Sequence, residues 1–426
     1  MESVITEENK SKTPLWTLFL VTLSVGVASG FLGMTLALLL HYIQHIAYGY
    51  SPLHIISNES FLEGVSASSP ERRVTILIIC GLIAGLGWAA VYQLGKPLVS
   101  IAEAIKTNKT MPMLSTTCHA LLQIVTIALG SPLGREVAPR EASAVFATWI
   151  STKAGLSIKE TKIMLACGAG AGLAAVYNVP LGGAVFVLEV LLCTLNWSIV
   201  LPALTTSAIA VVVSWWGLGN EPLYHIPDLT ISYSLVIWSI GAGPFFGMAA
   251  FWFIYVATIQ RSKSQRNWMM IGSCLINFTI IGVLSIYFPQ LLGNGKSPAQ
   301  LEFSSHVGIG LSVTLLMLRS VIVWSSLRVG AQGGLLTPSL ANGALLGAIL
   351  GGVWNMIWPT SSFEAFALVG AAAFLGAAQK MPVTAIILIF ELTRIDLSLL
   401  IPILFAVSGS VAMFHWCKNY FINDPD

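Results

Sequence analysis

Hydrophobic positions along this chain fall into long, nearly unbroken runs rather than alternating with polar ones. Runs over 15–40, 74–94, 114–133, 163–192, 197–217, 231–259, 268–288, 309–325, 340–358, 365–390 and 397–416 are each long enough to be read as membrane-spanning. The pattern predicts ten or more membrane segments, several of them interrupted by glycine or proline. The first run lies behind an acidic leader, MESVITEENK, and is too long for a secretory signal, so it reads as a retained anchor.

Composition agrees with the pattern. Of 426 residues 55% are hydrophobic and 9% charged, with a mean hydropathy of +0.80, far from the balance of a soluble domain. Thirty-eight glycines and 19 prolines fit close helix packing and broken helices better than straight spans. A net charge of +2 without a basic run excludes nucleic acid and other polyanionic partners. Lys10 and Lys12 before the first run, and Arg261, Lys263 and Arg266 after the run ending at 259, place the N-terminus inside, whereas Arg72 and Arg73 argue the other way. Cys80, Cys118, Cys167, Cys193, Cys274 and Cys417 lack ligand spacing and read as packing residues; no cofactor or metal is expected. Asn58, Asn108 and Asn196 begin glycosylation patterns of the kind that arise by chance.

The chain also resembles itself. GAGAGLAAVYNVPLGGAVFVLE (168–189) aligns without a gap on GAAAFLGAAQKMPVTAIILIFE (370–391), pairing Gly168 with Gly370, Pro180 with Pro382 and Glu189 with Glu391. Upstream, GREVAP (134–139) matches GGLLTP (333–338). Two motifs repeated in one order divide the chain into a leader (1–14) and two related halves (15–217 and 218–426). Glycine- and proline-interrupted segments at corresponding places point to a transporter whose site lies where broken helix ends meet; the alternative is a duplication kept for packing.

Each repeated motif reads as a glycine turn entering a helix, with free N–H groups and the positive end of a dipole directed at a cavity. Two such ends converging make an anion site. GREVAPREASA (134–144) places four charges there. Glu136 would sit in a field that favours an anion: ionised, its carboxylate takes the anion's place, and protonated, it leaves, so that proton and anion exchange at one position. The plainer alternative is a first-turn acid that stabilises its own helix. Gly134 and Arg135 belong to the anion-binding set, Arg135 either attracting anions or bracing the loop. Arg140 and Glu141 read as a structural ion pair.

These residues resemble the CLC family of anion channels and proton-coupled anion antiporters. GREVAP stands for its GREGP-type motif, GGLLTP for its GGxFxP-type motif, and Asn178–Gly183 with Glu189 for its NAPLAG run and following acid. The resemblance covers residues 15 to 420. It implies an all-α polytopic membrane protein, an inverted repeat of about eighteen tilted and re-entrant helices per subunit, and a homodimer; with the sequence ending at Asp426, no CBS domains are expected. It makes Glu136 the gating glutamate and puts the backbone amides of Glu136, Val137, Leu335 and Leu336 along the anion path.

Departures refine the expectation. Val137 and Ala138 follow the gate where chloride members carry glycine and proline, and GREVAPRE is similar to the fluoride-exporting subgroup. Thr337 precedes the second-motif proline, its hydroxyl either serving a small anion or the gate, or capping its helix. The internal proton relay would follow Glu189, yet Val190 stands there and cannot carry a proton; Glu189 itself reads as a packing or ion-paired acid. Lys96 occupies the place of the family's inner serine ligand, either facing an anion or reaching the inner surface. Tyr420 is assigned the family's central tyrosine hydroxyl, although a gap-free alignment reaches Asn423 instead.

The leading expectation is a fluoride/proton antiporter in a prokaryotic plasma membrane; the alternative is a chloride/proton antiporter or an uncoupled anion channel. Ser131 and His119 near membrane segments raise an intramembrane enzyme as a different class, but neither HExxH nor GxSxG occurs, and the protein is not expected to be an enzyme.

Overall fold

The computed structural model describes residues 13–51, 59–227, 229, 232–264, 266–304, 307–358 and 362–422. The acidic leader, Lys10, Lys12, Asn58 and Asn423 lie outside the described residues. From the N-terminal side run α1 (Leu15–Tyr48), α2 (Phe61–Ala67), α3 (Pro70–Leu94), α4 (Ile101–Thr107), α5 (Met113–Ala128), α6 (Val137–Lys153), α7 (Ile158–Tyr177), α8 (Pro180–Phe186) and α9 (Trp197–Leu218). Then follow α10 (Tyr233–Ser262), α11 (Met270–Tyr287), α12 (Lys296–Ser304), α13 (Ile309–Arg328), α14 (Leu336–Asn355), α15 (Phe363–Gln379), α16 (Pro382–Thr393) and α17 (Leu400–Ile422). Among the described residues there is no strand, only one isolated antiparallel bridge between Gly134 and Gly334.

Among the described residues eight helical segments are long and apolar enough to cross a membrane: α1, α3, α9, α10, α11, α13, α14 and the stretch Leu397–Ile422. Three of the runs predicted as single spans divide. The run 163–192 breaks at Asn178 (φ 57°) into α7 and α8, and 365–390 breaks at the matching position, Lys380 (φ 54°), into α15 and α16. A left-handed residue ends each helix, and Pro180 and Pro382, which suit a first turn, start the next. The run 114–133 ends as helix at Ala128, and its remainder forms the irregular approach to Glu136.

Helix pairings recur with the sequence repeat. α6 packs on α7 as α14 does on α15, α1 on α9 as α10 on α17, and α5 on α6 as α13 on α14. Two pairs join a helix to its own counterpart, α3 with α11 and α8 with α16. The core is dominated by small residues of α7 and α15, where runs of alanine and glycine let backbones approach closely.

The two arginines that opposed the charge-based orientation have structural work. Arg72 donates to the carbonyls of Ile46 and Ala47 (both 2.7 Å) at the end of α1, and Arg73 to Ser285 O (2.6 Å) near the end of α11. Cations at helix C-termini satisfy orphan carbonyls and oppose the dipole. Of the cysteines read as packing residues, Cys80, Cys167, Cys274 and Cys417 are buried, while Cys118 and Cys193 are exposed.

Candidate functional site

The two glycine turns of the repeat meet. Gly134 donates its amide to Gly334 O and accepts at its own carbonyl from the Gly334 amide, both at 2.8 Å. This bridge sets the start of α6 beside the start of α14. Neither glycine can be exchanged freely, because a Cβ at Gly134 or Gly334 would fall on the Glu136 carboxylate. Glycine is used here for close approach rather than for turn conformation.

Glu136 is the residue before α6 and is 1% exposed. Its side chain makes no cap on its own helix. Instead Oε1 accepts the backbone N–H of Leu336, the first residue of α14, at 2.8 Å. Oε2 lies 3.3 Å from the Thr337 hydroxyl and 3.4 Å from the Tyr177 hydroxyl, and those two hydroxyls share a hydrogen bond of 3.1 Å. An acid from one repeat unit therefore occupies the helix N-terminus of the other, where free N–H groups and the dipole favour negative charge.

Tyr177 was missed by sequence reasoning. It sits inside the repeated segment and immediately before the left-handed Asn178, so the end of α7 turns its ring toward the second motif. Its counterpart in the repeat, Gln379, reaches Ser339 Oγ at 3.4 Å. Only the self-alignment could have drawn attention to this pair of polar residues at the end of an apolar helix.

Of the remaining candidates, Arg135 is buried, with its guanidinium 5.2 Å from the Tyr177 ring centroid. Val137 and Leu335 flank the two helix starts and are half-buried. Thr337 makes no side-chain cap on α14 and faces the carboxylate. Lys96 is exposed on the connection between α3 and α4, where its backbone amide donates to Ser115 Oγ (2.9 Å), and the structure does not bring it to Glu136. Tyr420 also lies outside the cluster: it is 68% exposed near the end of α17 and stacks on Trp416 at 5.2 Å. The tyrosine hydroxyl at the carboxylate is that of Tyr177.

Arg140 and Glu141 are not partnered with each other, a correction that follows from their spacing, since adjacent helical residues point to different faces. Arg140 lies over Phe186 (4.3 Å), and Glu141 pairs with His119 Nδ1 (2.8 Å) and accepts from Gln123 (3.2 Å). Glu189 is a helix cap: it accepts from the amides of Val383 (3.0 Å) and Thr384 (2.7 Å) and from the Thr384 hydroxyl (2.6 Å) at the start of α16. Among the described residues no group of three acids, histidines or cysteines is placed to hold a metal.

Known proteins carry the same arrangement of helices. A slow cyanobacterial Cl-/H+ antiporter superposes with a TM-score of 0.79 at 18% identity, covering 95% of each chain. A CLC-type fluoride/proton antiporter superposes with a TM-score of 0.68 at 19% identity, covering 97% of this chain and 98% of the other. In sequence the chain is 27% identical to the voltage-gated ClC-type chloride channel ClcB of Salmonella typhi, over 79% of this chain and 84% of the relative. It is 26% identical to the H(+)/Cl(-) exchange transporter ClcA of Vibrio cholerae, over 95% of this chain and 87% of the relative. The family model described as voltage gated chloride channel matches residues 75–415, and by that match, which spans most of the sequence, the chain belongs to the CLC family of voltage-gated chloride channels.

Proposed function

We propose that this protein exchanges a small inorganic anion for protons across the membrane, with Glu136 as the group that handles both. The observation that carries the reading is the bond from the Leu336 amide to Glu136 Oε1 at the start of α14. A carboxylate held by N–H donors occupies a position chemically fit for a halide, and protonation removes the charge that holds it there. Exchange of proton for anion then requires one side chain and no second acid at Val190.

Chloride is the ion we place first, because the named sequence relatives and the cyanobacterial structure are chloride proteins. Fluoride is the second reading, supported by the fluoride/proton antiporter among the structural neighbours and by the Thr337 and Tyr177 hydroxyls at the carboxylate. Hydroxyl donors in a water-poor site suit a small anion of high charge density. In this reading the halves 15–217 and 218–426 each supply one helix start, and the exposed apolar residues Leu181, Leu201, Val383 and Ile401 form part of the face on which two subunits associate.

The experiment is reconstitution into liposomes loaded with chloride or fluoride, recording anion efflux and proton uptake together. Anion efflux that drives proton movement in fixed ratio supports exchange; anion efflux without protons makes the protein a channel, and no flux of either ion overturns the proposal.

A further inference from the structure

We propose that Arg319 and Tyr224 form a binding site for a small halide anion, separate from the seat of the Glu136 carboxylate; the inference rests on the anion-transport reading above. Arg319 lies in the middle of α13 and is 0% exposed. Its Nε and both terminal nitrogens find no acceptor among the described protein atoms. A guanidinium carries five N–H donors and remains charged in proteins, so burial without an acceptor is among the costliest arrangements a membrane interior can hold. An anion against the guanidinium removes that cost.

Tyr224 supplies the second donor. It is also 0% exposed, and its hydroxyl likewise finds no protein partner. The residue is held at its backbone, where its amide donates to Leu392 O (3.0 Å), and at its ring, which stands edge-on to Phe303 at 5.1 Å. The direction of the hydroxyl is therefore set by packing. The phenol lies within Coulomb range of Arg319, and also of Arg135, Tyr177 and Glu136.

The surroundings are short of negative charge. Arg135, whose Nε is also unpartnered, is within Coulomb range of Lys296 at the start of α12, and the acid whose charge reaches Tyr224 is Glu136. Arg140 and Arg261 are also within Coulomb range of Glu136, so cations outnumber this carboxylate. Gly295, at φ 108° just before α12, lets the guanidinium lie against the backbone: a Cβ there would stand 2.7 Å from one terminal nitrogen of Arg319 and 3.2 Å from Thr337 O.

The test is calorimetric titration of the purified full chain with sodium fluoride, chloride and bromide in turn. Wild type is expected to bind one ion per subunit with at least one of these salts. Arg319→Met, which keeps the length of the side chain and removes the charge, is expected to lose that ion, and Tyr224→Phe to bind it about tenfold more weakly. Wild type that binds none of the three anions, or Arg319→Met that binds as wild type does, overturns the proposal. Should Arg319→Met fail to fold, Tyr224→Phe decides, since unchanged affinity there also overturns it. Liposome flux separates the two readings: binding that depends on Arg319 in a protein without anion flux leaves the site and removes transport, whereas flux with Arg319-independent binding does the reverse.

Discussion

Glu189 and Glu391, equivalent residues of the repeat, each cap the other's partner helix. Glu189 receives the amides of Val383 and Thr384 at the start of α16, and Glu391 receives those of Leu181 (2.9 Å) and Gly182 (2.7 Å) at the start of α8. The reciprocal caps tie α8 to α16, a pair that also packs directly. Each carboxylate serves as the capping group that Val179 and Met381, the residues before the two prolines, cannot provide.

Glu189→Ala is expected to destabilise the protein by about 1 kcal/mol, the cost of losing a helix cap, and to leave the ratio of protons to anions unchanged. Thermal melting in detergent and paired flux measurements check this. A changed ratio would make Glu189 part of the proton route.

Glu136→Gln keeps the shape of the side chain and removes its ability to carry a proton. Proton movement is expected to cease while anion flux continues at an altered rate. Liposomes prepared with each protein, under one membrane potential, give the comparison.

Gly334→Ala places a methyl group where the carboxylate of Glu136 now lies. The carboxylate must leave the α14 N-terminus, so anion flux is expected to become less dependent on pH than in wild type. Flux recorded between acidic and neutral pH tests this, and an unaltered profile would show that the gate has room elsewhere.

Thr337→Val removes a hydroxyl from the carboxylate cluster while conserving volume. Because a site with hydroxyl donors suits the smaller ion, the ratio of fluoride to chloride flux is expected to fall several-fold, in line with about 1 kcal/mol for a neutral hydrogen bond. An unchanged ratio would confine Thr337 to a packing role.

The linear sequence alone was enough to reveal a membrane protein, a two-part repeat and an acid at a glycine turn. Hydrophobic run length and the positions of glycine and proline act through the chain within a few residues, and the repeat is read by comparing the chain with itself. Even the breaks at Asn178 and Lys380 were marked by the prolines two positions later, although the runs around them read as continuous.

Tertiary structure decided which polar groups meet. Glu136 bonds to Leu336, 200 positions away, where the Gly134–Gly334 bridge brings two helix starts together, and Glu189 to Thr384, 195 away, where α8 packs on α16. Tyr177 rather than Tyr420 supplies the hydroxyl at the carboxylate because α7 ends beside α14, while the end of α17 is exposed. Arg140 and Glu141, neighbours in the chain, point to different faces of α6, and packing gives them Phe186 and His119 as partners. Run length and spacing act along the chain, but the partners of a buried polar group are set by which helices pack together, and that is a property of the assembled fold.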